Sequence, residues 1–324
     1  MIIKKIYTII IILCIYLILN LNATNKMKTL EKNISNEIED DKKIKKADLI
    51  IFSYDRPIQL YAFLESLKKT KNIDYIGVIY RISDSKYEDG YKIVKNDFKN
   101  LKFFKQGENP SKDFKPLLLK LLFKQSNQDY FLFAVDDIIV TDKVDLSECI
   151  KYIEKYKALG FFLRLGKNIT SCYTINQTFN LPKLKEKQKN VFSWQFKGSP
   201  GDWGLPASTD MTIYNKNDFK NLFYTLNYTN PNNFEGCWIN SSDQTKSGLC
   251  FESSKIVNIP INIVQDIKWH RCMNFLLPND LLEIFLDGYK IDIEDLITTI
   301  KNARNTAPHM EYIYKFIKRT PQNS

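Results

Sequence analysis

Between residues 48 and 137 the chain alternates short, largely apolar runs with amphipathic stretches, and most of the runs stop on hydroxyl or acidic side chains. The runs at 49–53, 75–82, 101–104 and 130–135 are too short for ordinary helices and lack the in–out alternation of a half-solvated strand. Both of their faces must therefore be covered, which is the signature of a parallel sheet. Between them, Pro57 opens a helix that runs on through Leu60, Phe63, Leu64 and Leu67, and further helices are expected at 91–98 and 116–124. Strand, helix, strand with right-handed crossovers predicts an α/β fold, a Rossmann-like and mostly parallel sheet with helices on both faces.

The second half changes character. A helix at 147–156 and a strand at 161–165 precede a long polar stretch to residue 190. Strands at 191–196 and 211–214 then flank a Gly/Pro-rich loop, 198–206. A strand at 255–263 and helices at 281–286 and 293–300 complete the pattern. No internal repeat is visible, so residues 47–324 read as one domain.

Ahead of it lies a segment of another kind. Residues 6–21 form an apolar run behind Lys4 and Lys5, the charged and hydrophobic regions of a signal sequence. Leu21 stands where a cleavage site favours a small residue, so residues 1–23 are expected to stay as a membrane anchor. Lysines flank the run on both sides, so the distribution of positive charge does not choose an orientation. A single anchor before a large domain more often exports that domain, so an exported or lumenal side is expected. Residues 24–46 are polar and charge-dense, a stalk.

The net charge of +10 raises the question of nucleic acid, but the 47 basic residues include six arginines, and base or phosphate readers lean on arginine forks. The basicity reads as compositional bias, with no nucleic-acid partner expected. None of the six cysteines is spaced as C-x-x-C, against a structural zinc site. Cys237 and Cys250 have two readings, a short disulfide loop or buried free thiols.

Ligands of open α/β sheets bind beyond the carboxyl ends of the strands. Here those ends carry Ser53, Asp55 and Arg56, then Ser83 and Asp84, then Asp136 and Asp137. Two adjacent carboxylates repel unless a cation compensates them, and a hard divalent ion, Mg²⁺ or Mn²⁺, is the natural one. The alternative is that Asp136 and Asp137 cap a turn.

Residues 48–57, DLIIFSYDRP, followed by Leu60, Leu64 and Leu67, resemble the opening of family-two-type glycosyltransferases of the GT-A fold, nucleotide-diphospho-sugar transferases. Residues 131–137, FLFAVDD, resemble their aspartate motif, although here it reads Val-Asp-Asp with no acid at the first position. Segments around Asp202-Trp203, Ser208–Asp210, 230–235 and 262–265 resemble acceptor-side elements. The resemblance implies that Ser53, Asp55 and Arg56 line a nucleotide pocket, that Asp84 contacts the base, and that Asp137 with Asp136 binds Mn²⁺ or Mg²⁺ on the donor diphosphate. It implies a nucleotide-sugar donor, UDP-linked by family frequency, and a glycan, lipid or protein acceptor. In an inverting reaction a carboxylate removes the acceptor proton. Glu235 is the first candidate and Asp210 the second, with a loop-holding role as the alternative for Asp210. His270 is the candidate to complete the metal site. His309, in a polar tail segment, ranks behind it. Trp203 is read as a sugar-stacking face, Trp194 and Trp238 as core. The rival reading is an anchored, inactive scaffold of the same fold that acts as a binding protein.

Overall fold

The computed structural model describes residues 44–173, 175–262, 264, 276–303 and 306–320. The expected anchor at 1–23 and nearly all of the stalk lie outside them, as does His270. Among the described residues no helix is long and apolar enough to cross a membrane. Contacts divide the chain at Ile44/Lys45, and the unit from Lys45 onward contains the described helices and strands.

Its first half is strand β1 (Ala47–Tyr54), helix α1 (Pro57–Ser66), β2 (Ile73–Arg81), α2 (Tyr87–Asp97), β3 (Lys102–Lys105), α3 (Pro110–Lys124) and β4 (Tyr130–Val135). After a short strand β5 (Ile138–Val140) come α4 (Leu146–Tyr156), β6 (Gly160–Phe162), β7 (Lys185–Gln188), β8 (Val191–Gln195) and β9 (Thr212–Asn215). Helices α5 (Lys216–Thr225) and α6 (Pro231–Ser241) lead to β10 (Ser247–Phe251) and β11 (Ile256–Asn258). The described chain ends with α7 (Pro278–Leu286), β12 (Tyr289–Ile291), α8 (Ile293–Asn302) and β13 (Phe316–Lys318).

Nine strands form one sheet in the order β7-β8-β10-β6-β9-β4-β1-β2-β3. β1 pairs in parallel with β2 and β4, and β2 with β3, as the sequence predicts. The other half is mixed, because β9 enters antiparallel between β4 and β6, and β7 and β8 form an antiparallel ribbon. The strand expected at 255–263 shortens to β11 and leaves the large sheet, pairing antiparallel with β5. The helix expected at 116 begins six residues earlier, at Pro110, where the Asn109 side chain accepts from the Lys112 N–H.

Burial of the two central strands on both faces explains their composition. In β1, Leu49 and Ile51 point into one apolar layer, while Ile50 and Phe52 point into the other. Leu132 and Ala134 of β4 join the first layer, and Phe131 and Phe133 the second. The second layer is rich in aromatic rings: Phe133 meets Phe234 at 5.4 Å and Trp238 at 5.7 Å, the edge-to-face geometry that ring quadrupoles favour. Gly160 and Gly248 are register partners on β6 and β10, and a Cβ on Gly248 would stand 2.5 Å from the Trp194 ring. Only glycine lets that indole lie flat against the sheet.

Trp194 and Trp238 are buried, as read from the sequence. Trp203 is buried too, 0% exposed, with its Nε1–H donated to the Ile169 carbonyl at 3.0 Å and its ring 4.8 Å from that of Trp194. It is a packing residue, and the expectation that it stacks on a sugar is overturned. Cys237 and Cys250 are both free thiols, so the disulfide loop is not formed.

Candidate active site

The parallel strands deliver Arg56, Asp136 and Asp137 to one edge of the sheet. Because β9 runs antiparallel to β4 and β6, the residues entering it, Ser208 to Asp210, arrive at that same edge. This is how one short reversed strand joins the second half of the chain to the carboxyl ends of the first.

Asp55 follows β1 with φ 55°, a left-handed conformation that Asp tolerates better than most side chains. Its Oδ1 accepts from the Ser83 N–H at 2.8 Å, tying the ends of β1 and β2, and burial raises its pKa against those hydrogen bonds. Ser53 shares a 2.7 Å hydrogen bond with the Tyr91 hydroxyl of α2. Both residues therefore shape the edge from inside. Asp84 is exposed, and its carboxylate accepts from the Lys86 N–H at 2.9 Å, an Asx turn at the entry to α2.

Arg56 crosses to the acid pair. Its Nη1 lies 3.2 Å from Asp136 and 3.3 Å from Asp137, while its Nε donates to the Asn262 side chain at 2.9 Å and Nη2 to the Asn262 carbonyl. Burial works against the cation, and the two carboxylates more than restore it. Asp136 also accepts from the Tyr54 N–H at 3.1 Å, yet burial still raises its pKa. Asp137 is pushed up to about 6, first by burial, with Arg56 opposing and the charges of Asp136 and Asp210 adding to the rise.

Asn258 at the end of β11 links this pair to the second half. Its amide donates to Asp137 at 3.1 Å and to Asp210 at 3.2 Å. Asp210 also pairs with Arg164, the second residue beyond β6, and the same guanidinium reaches Asp202 and, at 3.3 Å, Ser208. The loop-holding role of Asp210 is thus real: Arg164 staples the Gly/Pro-rich loop to the start of β9. Glu235 projects from α6, which Asn230 caps and Phe234 and Trp238 anchor in the aromatic layer. Its Oε1 accepts from the Thr209 N–H at 2.6 Å and hydroxyl at 3.0 Å. Burial and then the Asp210 charge raise its pKa, opposed by Thr209 and Arg164.

The polar segment around His309 gives the sequence no reason to rank it high. The backbone brings it back: His309 bridges Asn258 in parallel, flanked by Asn258 N–H to Pro308 and Met310 N–H to Asn258. The ring stacks on Tyr173 at 5.6 Å, and its Nδ1 is buried without a hydrogen-bond partner. Burial lowers its pKa, as does Arg164, against the pull of Asp210, Asp202 and Asp137. Sequence reasoning also misses Arg164, although a lone arginine at the end of an apolar run is a readable signal.

Five acids, Asp136, Asp137, Asp202, Asp210 and Glu235, are thus answered by two guanidiniums. Among the described residues no three His, Cys, Asp or Glu side chains form a ready-made metal cage. Mg²⁺ and Mn²⁺ do not require one, since one or two protein ligands plus substrate phosphates suffice. The Asp137 carboxylate and the buried, unpartnered His309 Nδ1 are the side-chain atoms of this edge that could serve as such ligands.

No family model matches the chain. Over 213 residues it is 29% identical to the bifunctional glycosyltransferase pgtA of Dictyostelium discoideum, a match covering 58% of this chain and 27% of the relative. The chain is similar to a glycosyltransferase. It spans about a quarter of the length of that relative. Among solved structures, S. aureus TarS 1–349 in complex with UDP overlaps 55% of this chain and 48% of its own, at 16% identity and a TM-score of 0.35. A 4-diphosphocytidyl-2C-methyl-D-erythritol synthase overlaps 57% and 81%, at 13% identity and a TM-score of 0.32.

Proposed function

We propose that this chain is a GT-A glycosyltransferase that takes a sugar from a nucleoside-diphosphate donor, UDP-linked by preference, and transfers it to a glycan, lipid or protein acceptor. The observation that carries the reading is the acid edge: Asp136, Asp137 and Asp210 meet at the carboxyl ends of the parallel strands, in a chain similar to a glycosyltransferase. Asp137 and His309 would hold Mn²⁺ or Mg²⁺, which when bound offsets charge growing on the departing diphosphate. Arg56 fixes Asp136 and keeps the Asp137 carboxylate turned to the edge. In the inverting reaction Glu235, whose pKa burial raises, accepts the acceptor hydroxyl proton as that oxygen bonds to the anomeric carbon and the electron pair of the broken bond leaves on the diphosphate. Residues 6–21 tether the domain to a membrane on the exported or lumenal side.

One observation favours the scaffold alternative: Arg56 is an internal cation already placed on both acids. Thermal unfolding of the full chain with UDP, GDP, CDP or dTDP, each with Mn²⁺ or with EDTA, separates the two. A ligand at about 100 times its Kd adds about 2.7 kcal/mol to the folded state. The transferase reading expects a shift with one nucleotide that EDTA abolishes. No shift with any of the four overturns it.

A further inference from the structure

The face of the sheet carrying α3 and α5 holds a groove of about 590 Å³ that the acid edge does not use. Its walls are α3 on one side and the end of α5 with the following turn on the other. The lining includes Lys112, Lys115, Lys120 and Lys124 and contains no acidic residue. Lys115 is committed to structure: its ammonium donates to the carbonyls of Tyr224 at 2.9 Å and Leu226 at 2.6 Å and lies over the Tyr228 ring. Lys112, Lys120 and Lys124 are exposed, and none makes an ion pair among the described residues. On the opposite wall stands Tyr224, 44% exposed and held in place by stacking on Phe123 at 5.7 Å.

The groove is also directed. β3 ends at the same edge as β4, so α3 starts at that edge and runs away from it, and Ser111 and Lys112 mark the near end. The lining also includes Asn227 and Thr229, just before the helix that carries Glu235. Tyr228 of the lining packs on Phe234, the neighbour of Glu235, at 4.7 Å, so the groove and the acid edge share one helix.

We infer that the groove is an extended subsite for an anionic glycan, the acidic chain of the acceptor, and this rests on the transferase reading. Lysines without a carboxylate partner supply the charge, Lys120 resting over the Phe104 ring at 5.9 Å, a fixed tyrosine face supplies a stacking platform for a sugar ring, and Asn227, Thr229 and Ser111 supply neutral hydrogen-bonding groups. A purely apolar peptide would leave the lysines unanswered.

The test is equilibrium binding of a fluorescent sulfated oligosaccharide to the full chain, a readout that needs no transfer. The triple variant Lys112→Gln, Lys120→Gln, Lys124→Gln should weaken binding at least about tenfold. Tyr224→Ala should weaken it further at high salt, where the charge contribution is screened. A control with the same loss of charge at the far edge of the sheet, Lys183→Gln, Lys185→Gln, Lys189→Gln, should bind as the native chain does. Equal weakening in the control, or equal affinity for neutral dextran, for single-stranded DNA or for anionic vesicles, would overturn the proposal. If the EDTA-sensitive nucleotide shift fails while glycan binding and its lysine dependence survive, the donor reading is lost and the subsite stands as a glycan-binding site.

Discussion

Asp137→Asn should make the metal-free protein more stable above pH 6 while removing its response to nucleotide. Asp137 has its pKa pushed up to about 6 in the fold, against 3.8 for the free side chain. A carboxyl whose folded pKa is raised binds more protons in the native state, so stability falls as pH rises between the two values and then stays level. Two units at about 1.36 kcal/mol each set a ceiling of about 3 kcal/mol for the strain of keeping this charge. The carboxamide retains a carbonyl oxygen for the 3.1 Å bond from Asn258, and Arg56 keeps Asp136 and Asn262 as partners. Urea unfolding in EDTA at pH 4, 5, 6 and 8 measures the difference between variant and native chain. The gap should be near zero at pH 4, open through pH 5 and 6, and reach about 1 to 3 kcal/mol in favour of the variant at pH 8. A variant less stable than the native chain at pH 8 would refute the reasoning, since it would make Asp137 a net attractive partner of Arg56. A gain in stability with loss of function is the usual exchange at a charged site held for chemistry.

Arg164→Met removes the guanidinium from buried Asp202 and Asp210 and should cost about 3 to 5 kcal/mol in urea unfolding at pH 7; a cost under about 1 kcal/mol would mean that water reaches both acids. Glu88 is held down to about 2, with burial opposing and Lys105 and Lys95 prevailing, so its contribution is present above pH 4.5 and lost as pH falls toward 2. With its lysine partners partly exposed, that loss should be about 1 kcal/mol after screening, and Glu88→Gln should flatten it; an unchanged acid limb would assign the loss elsewhere. Glu235→Gln should keep the nucleotide shift and lose transfer about 10²-fold or more, and full activity would move the proton-accepting role to another carboxylate.

The first half of the fold is legible because its central strands, β1 and β4, are buried on both faces and so advertise themselves as apolar runs. β10 is not, since Ser247–Phe251 holds a glycine and a cysteine where a strand pattern wants branched side chains, and packing against Trp194 decides its fate. Helices α5 and α6 hide in Asn-rich sequence, where the anchors are aromatic rings spaced four apart, as with Phe219 and Phe223 or Phe234 and Trp238. The acid pair is visible as a charge anomaly after a buried strand. Arg164 leaves a local mark as a lone arginine after an apolar run, but Asn258 and His309 are hidden, because nothing local says that a C-terminal segment will close on that edge.

That reversed strand also sets a clock on biogenesis. Until β9 is made, the main-chain edge of β4 is open, with no neighbour on that side. Eighty residues separate Val135 from Asn215, so a ribosome adding about 5 to 20 residues per second leaves that edge bare for roughly 4 to 16 s. Tyr130–Val135 is free of charge and of proline, the kind of segment that recruits foreign strands. The nascent chain needs a chaperone most during this interval, and slowing translation between residues 135 and 215 should lower its soluble yield.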